Sequence, residues 1–193
     1  MHMLKYDIRA GVKKIRTKTS LTISGTALGA TGLVIALAMP LAAKAVDSTV
    51  VVTSANTQGW STADTRPGGS VSYVNDSTSP YPSGALQLTT DETNAAKAQY
   101  LHSASGSLGD VSELSYSTRQ VSGPAVADPS YQLAVDLNGS ATGGFTNLVF
   151  EPYWNGTVLP NVWQSWDVAS GQFWSSDSYS SGDCVVTSGA GGP

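Results

Sequence analysis

The chain has 193 residues, 10 Lys+Arg against 14 Asp+Glu, and a formal net charge of −4. Seven of the 10 cations lie at or before Lys44, so the rest of the chain carries three cations against 13 carboxylates, a net charge of −10. Arg66, Lys97 and Arg119 are too few and too scattered to form the basic stripe that a phosphate backbone requires, which sets nucleic acid aside as a partner.

The chain begins with a basic segment, Lys5, Arg9, Lys13, Lys14, Arg16 and Lys18, followed by an uncharged stretch from Leu21 to Ala43. Its most apolar part is Leu33 to Met39, Pro40 then interrupts the helix, and Ala43-Lys44-Ala45 supplies an A-x-A cleavage site. That order predicts a signal peptide over 1–45 and an exported, extracellular remainder. The competing reading is an uncleaved membrane anchor, since about 20 apolar residues span a bilayer. In either case the positive end stays inside, and if uncleaved this segment is the expected point of contact with a membrane.

From residue 46 onward, short β-rich runs alternate with turn residues. Thr49–Thr53, Ser70–Val74 and Ala85–Thr89 read as strands, the second and third bounded by Pro67-Gly68-Gly69, Asn75-Asp76 and Pro82-Ser83-Gly84. Asp91–Ala98 offers a helical turn or a loop before a strand at Ala98–His102. In Val111–Gln120, Leu114 and Tyr116 alternate with Glu113, Ser115, Ser117 and Arg119. In Tyr131–Leu137, Leu133, Val135 and Leu137 alternate with Gln132, Ala134 and Asp136. Such period-two alternation marks strands with one buried and one wet face. Phe145–Tyr153, Val162–Val168, Gln172–Ser175 and Cys184–Thr187 follow, with Asn138-Gly139 and Asn155-Gly156 as turn dipeptides.

Eight or more short strands with almost no helix predict an all-β, antiparallel two-sheet sandwich over 46–187, preferably jelly-roll-like, after an N-terminal signal or anchor helix. An immunoglobulin-like sandwich is the alternative. Residues 188–193, Ser-Gly-Ala-Gly-Gly-Pro, read as a linker or ragged end. Cys184 is the one cysteine, so the expected fold rests on its core rather than on an internal disulfide. A semi-buried thiol, an intermolecular bridge, or a bridge to a cysteine beyond Pro193 are its readings.

Ser83–Thr90, Val111–Tyr116 and Val162–Val168 together resemble the strand order of extracellular bacterial jelly-roll domains, including carbohydrate-binding modules and concanavalin-like lectin domains. The resemblance implies a sandwich fold more than an activity, because such folds host many functions.

The strand parities put Arg119, Gln132, Asp136, Glu151 and Tyr153 opposite the apolar face, with Glu113. If Trp166 and Val168 point inward, Trp163 and Asp167 join them. Aromatic rings, carboxylates and amides on one face suit glycan recognition; an ordinary solvated face with one half-buried Trp is the plainer reading. Trp60, Trp154 and Trp174 lie near turns, Trp154 at an expected hairpin tip and Trp60 at one end of the core. A structural Ca²⁺ would draw on Asp47, Asp76, Asp167, Asp177 and Asp183, but no EF-hand pattern gathers them, and no other cofactor is implied. Nor is there a G-x-S-x-G or E-x-D-x-x-E motif, and His102 is the one histidine beyond the leader. Glu151 is the single acid in a setting that suggests a glycosidase. The expectation is thus a secreted or surface-displayed, non-catalytic module for glycans, with a structural or adhesive surface module as the alternative and a hydrolase third.

Overall fold

A computed structural model describes residues 4–9, 49–81, 84–138, 144–181 and 184–186. Its regular elements are β1 (Leu4–Arg9), β2 (Gly69–Val74), β3 (Ala85–Thr90), β4 (Ser115–Gln120), β5 (Tyr131–Asp136), β6 (Phe145–Phe150), β7 (Gln164–Asp167), β8 (Phe173–Ser175), β9 (Tyr179–Ser181) and β10 (Cys184–Val186). One short helix, α1 (Pro152–Asn155), and two single 3-10 turns, Leu108–Asp110 and Ala125–Ala127, complete the described set.

Every strand pairing is antiparallel. A five-stranded sheet runs β2-β3-β1-β4-β7, a three-stranded sheet runs β5-β6-β8, and β9 pairs with β10. The chain is therefore all-β in antiparallel sheets, as its alternating sequence requires.

The core forms where the two larger sheets meet. From the first come Leu114, Tyr116, Trp166 and Val168, and from the second Phe150, with Tyr131, Leu133 and Phe173 packed against them. Tyr116 meets Phe150 edge-on at 6.0 Å and Tyr131 at 5.4 Å, and Phe150 meets Phe173 at 5.9 Å. These offset ring pairs add specific attraction to the area they bury. A second cluster sits under β2 and β3, where Leu86 and Leu88 pack with Val71, Tyr73, Ala98 and Tyr100.

Alternation is followed closely on β5, whose residues are in turn half-buried and exposed from Tyr131 to Asp136. It also holds on β7, where Trp166 is buried and Ser165 and Asp167 are exposed. Four expectations are corrected. Thr49–Thr53 is not a strand; Val50 and Val51 are 60% and 67% exposed, and β-propensity alone does not make a ladder without a neighbour. Ala98–His102 contributes only an isolated bridge between Ser61 and Leu101. The β6 strand stops at Phe150 because Pro152 opens α1, a helix-start position that suits proline. Trp154 is consequently in α1 rather than at a hairpin tip. Finally, Val149 and Phe150 are both buried, at 2% and 1% exposure, so β6 has no purely wet face at that end.

The strand β1 is the largest departure. Leu4–Arg9, expected inside the basic leader, forms a strand between β3 and β4. The predicted helix Leu21–Ala43 and the Ala43-Lys44-Ala45 site lie outside the described residues, as do Gly139 and the 188–193 tail. Among the described residues no helix is long and apolar enough to cross a membrane.

Candidate functional site

Antiparallel pairing fixes which side chains share the outer face of β4 and β7. Ser115 lies opposite Asp167 and Ser117 opposite Ser165, while Tyr116 and Trp166 form the alternate pair. Because Tyr116 and Trp166 are buried in the core, Ser115, Ser117, Arg119, Ser165 and Asp167 belong to the opposite face. They make a single polar track running along the two strands. From Ser115 to Arg119 it is ~13 Å long at the usual strand rise.

Trp163 and Arg119 form one end. The Arg119 guanidinium lies over the Trp163 ring, 5.3 Å from its centroid, close enough for cation–π attraction. Arg119 also reaches out of the sheet: Nη2 lies 2.9 Å from Asp76 Oδ2, and Nη1 donates to Thr78 Oγ1 at 3.0 Å. Asp76 in turn accepts from the Thr78 backbone N–H at 2.9 Å and hydroxyl at 2.6 Å. The Thr78 hydroxyl is the main reason the Asp76 carboxyl sits below the usual carboxylate range; the Thr78 N–H, the Arg119 charge and the Trp163 side chain add to it, against partial burial. Asp76 therefore stays ionised and holds Arg119 in place. With side-chain exposures of 23% and 8% for Arg119 and Asp76, the pair is more than a surface contact, though part of its worth is still screened by solvent.

The middle of the track is the Ser117–Ser165 hydroxyl pair, 2.8 Å apart; Ser117 is buried, at 2% exposure, and Ser165 is the exposed member. Its other end is an open depression of about 320 Å³ lined by Ser112, Glu113, Ser115, Asp167 and Ser170, among others. Asp167 Oδ2 accepts from the Ser170 hydroxyl at 2.7 Å, and Oδ1 from its N–H at 3.4 Å. The track thus offers an aromatic ring and a guanidinium at one end, hydroxyls in the middle and carboxylates at the other.

Of the residues picked out from sequence, Arg119, Trp163, Asp167 and Glu113 come together along this track. Gln132 and Asp136 do not. They are exposed on β5, in the three-stranded sheet. Glu151 and Tyr153 are also separate. Glu151 directly follows β6, half-buried, with Oε1 accepting from Trp174 Nε1 at 3.3 Å. Burial pushes its carboxyl upward and the Trp174 bond partly offsets this. Tyr153 sits in α1, edge-on to Trp154 at 5.5 Å. The expected single face is divided because β5 and β6 belong to the three-stranded sheet, and Pro152 ends β6 before its alternation reaches Glu151 and Tyr153.

Sequence reasoning weighed Asp76 only as a calcium ligand and missed Thr78. The run Asp76-Ser77-Thr78 announces a turn closed by the Asp side chain, but not that the turn docks on Arg119, which is 41 residues further on than Thr78. Ser117 and Ser165 carried a weak signal, as alternate residues of predicted strands. Trp60 stacks on Tyr100 at 5.2 Å and lies 5.1 Å from His102. Since Tyr100 packs on the Leu86–Leu88 cluster, Trp60 extends the rim of that second core.

Among the described residues no three His, Cys, Asp or Glu side chains gather as a metal site. Asp47 and Asp183, two of the acids considered for calcium, lie outside the described residues. No protein family, curated protein or solved structure matches this chain, so the polar track of β4 and β7 stands on its own geometry.

Proposed function

We propose that this chain is an exported, secreted or surface-displayed β-sandwich module of jelly-roll type that binds glycans without catalysis, using the outer face of β4 and β7. One observation carries the reading: Arg119, the Ser117–Ser165 hydroxyls and Asp167 lie on one face of the β4–β7 pair, and Trp163, just before β7, lies against Arg119. A sugar presents an apolar ring face to an aromatic side chain and a ring of hydroxyls to fixed donors and acceptors. The track supplies both through the half-buried Trp163 and the exposed Ser165 and Asp167, opening at the Asp167 end into a depression suited to a chain of sugars rather than to a buried small molecule. The net charge of −10 beyond residue 45 favours a neutral or cationic polysaccharide over a sulfated or uronic one. The sandwich arrangement is supported by the shared core of the two larger sheets.

The test is a glycan array and a pull-down with insoluble polysaccharides, using the wild type, Trp163→Ala and Asp167→Asn. Binding that falls at least tenfold in both variants, and is retained in Asp136→Ala on the other sheet, supports the track. Equal binding by all four proteins places recognition elsewhere. Absence of any glycan binding, together with self-association in solution, would favour the adhesive surface module instead.

A further inference from the structure

The order β2-β3-β1-β4-β7 separates two halves of the sheet. The β2–β3 hairpin lies on one side and the β4–β7 pair on the other, and among the described residues β1 is the only strand that hydrogen-bonds to both. Antiparallel pairing with both neighbours makes β3 and β4 parallel to each other, one strand-width apart on each side of β1, or ~9.5 Å in all. Without an occupant, each would present a row of unpaired N–H and C=O groups to the gap between them. Buried unpaired backbone groups are costly, and an open edge recruits any extended chain that fits it.

The register defines what fits. Ile8 lies opposite Leu86 on one side and Thr118 on the other; Tyr6 lies opposite Leu88 and Gln120. Leu86, Leu88, Thr118 and Gln120 are all buried, so these rows belong to the interior face. The alternate positions, Asp7 and Arg9, stand in the rows of the half-buried Gln87 and Arg119 and the buried Ser117. An occupant of this slot is therefore a six-residue extended segment with apolar residues at alternate positions and polar ones between. Leu4-Lys5-Tyr6-Asp7-Ile8-Arg9 has that pattern, Leu, Tyr and Ile alternating with Lys, Asp and Arg.

We infer that the space between β3 and β4 is a strand-acceptor slot, and that Leu4–Arg9 is its built-in occupant. The same residues that read as the start of an export leader complete the five-stranded sheet. Cutting the chain between Arg9 and Thr49 severs this strand covalently while its backbone hydrogen bonds still hold it. Once it is released, the slot takes an extended peptide of the same alternation by strand addition. The slot is independent of glycan binding, but Leu4–Arg9 can fill it only in molecules whose first 45 residues are neither removed nor held on the inner side of a membrane.

The test uses the full chain. In a Cys184→Ser background, Asp7→Cys with Gln87→Cys places two thiols on directly opposed residues of β1 and β3, within the reach of a disulfide. Oxidation should give a cross-linked monomer in high yield, whereas pairing Asp7→Cys with Ala134→Cys, on the other sheet, should give none. In a second arm, a protease site engineered between Arg9 and Thr49 is cut under native conditions. The fragment bearing Leu4–Arg9 should co-elute with the body, and should exchange for a labelled Leu4–Arg9 peptide but not for one with Ile8→Pro. Cross-linked dimers instead of monomers would overturn the built-in occupant, showing a strand traded between copies. A fragment that leaves without loss of amide protection in β3 and β4, and with no peptide uptake, would overturn the slot itself.

Discussion

Asp128 allows the sharpest quantitative test of the core. It is 3% exposed, follows the Ala125–Ala127 turn, and points into the region where β4 and β7 meet. Oδ2 accepts from the Thr118 hydroxyl at 2.8 Å, and that hydroxyl oxygen accepts from Trp166 Nε1 at 2.7 Å. Oδ1 is buried with no hydrogen-bond partner among the described residues. Burial raises the Asp128 pKa from 3.8 to about 6, and the Thr118 bond offsets only part of that. The folded pKa lies above the unfolded one, so the carboxyl's contribution is most favourable below pH 3.8 and is lost as pH rises through about 6. Two pKa units correspond to about 3 kcal/mol across the full range. Between pH 8 and pH 5 the same linkage relation gives a gain of about 1.4 kcal/mol on acidification. Urea unfolding at half-unit steps from pH 8 to pH 5 would measure it. Glu151, also raised by burial, slopes the same way, so Glu151→Gln must be run alongside. The lowered Asp64, Asp76 and Asp91 oppose the trend only as pH falls toward and below their ordinary range. Asp128→Asn keeps the acceptor for Thr118 and removes the charge, so its profile should flatten by that amount. A wild type whose stability is level or falls from pH 8 to 5, or an Asp128→Asn variant with the wild-type slope, would refute the reasoning.

Further outcomes follow from packing. Phe150→Ala empties the centre of the shared core and should cost about 3–5 kcal/mol in urea unfolding; a loss below 1 kcal/mol would mean the two sheets do not depend on that contact. Gly69→Ala would drive a methyl into the Lys97 backbone carbonyl, a neighbour that cannot rotate away, so its melting temperature should drop well below that of Gly109→Ala, where the methyl has only ordinary contact with Ser107. Tyr116→Phe removes the hydroxyl that donates to the Pro129 carbonyl at 2.7 Å, and leaving that buried acceptor unpaired should cost about 1–3 kcal/mol. Arg119→Ala should loosen the Asp76–Ser79 turn, read as faster amide exchange there with little change at β5 and β6.

The sequence by itself determined the class of fold and most strand positions. Period-two alternation at Leu114–Tyr116, Leu133–Val135 and Trp166–Val168 assigned each residue's side correctly, because a strand's two faces are set by its own backbone geometry. Composition also determined the acidic, cation-poor character of the chain beyond residue 45. Tertiary structure decided what lies next to what. Gln132 and Asp136 have the same parity as Arg119 and Asp167, yet they sit on a different sheet, since parity says in or out but not which partner strand is adjacent. Glu151 and Tyr153 follow β6, which is also on the three-stranded sheet, and Pro152 ends its alternation before them. Asp76 met Arg119 through a turn 43 residues away in the chain, a contact set by how loops close over the sheet. Most of all, Leu4–Arg9 carries charges that look like a leader and an alternation that looks like a strand. Its pairing with β3 and β4 belongs to the tertiary structure, because backbone hydrogen bonds between distant segments leave no mark in either sequence alone.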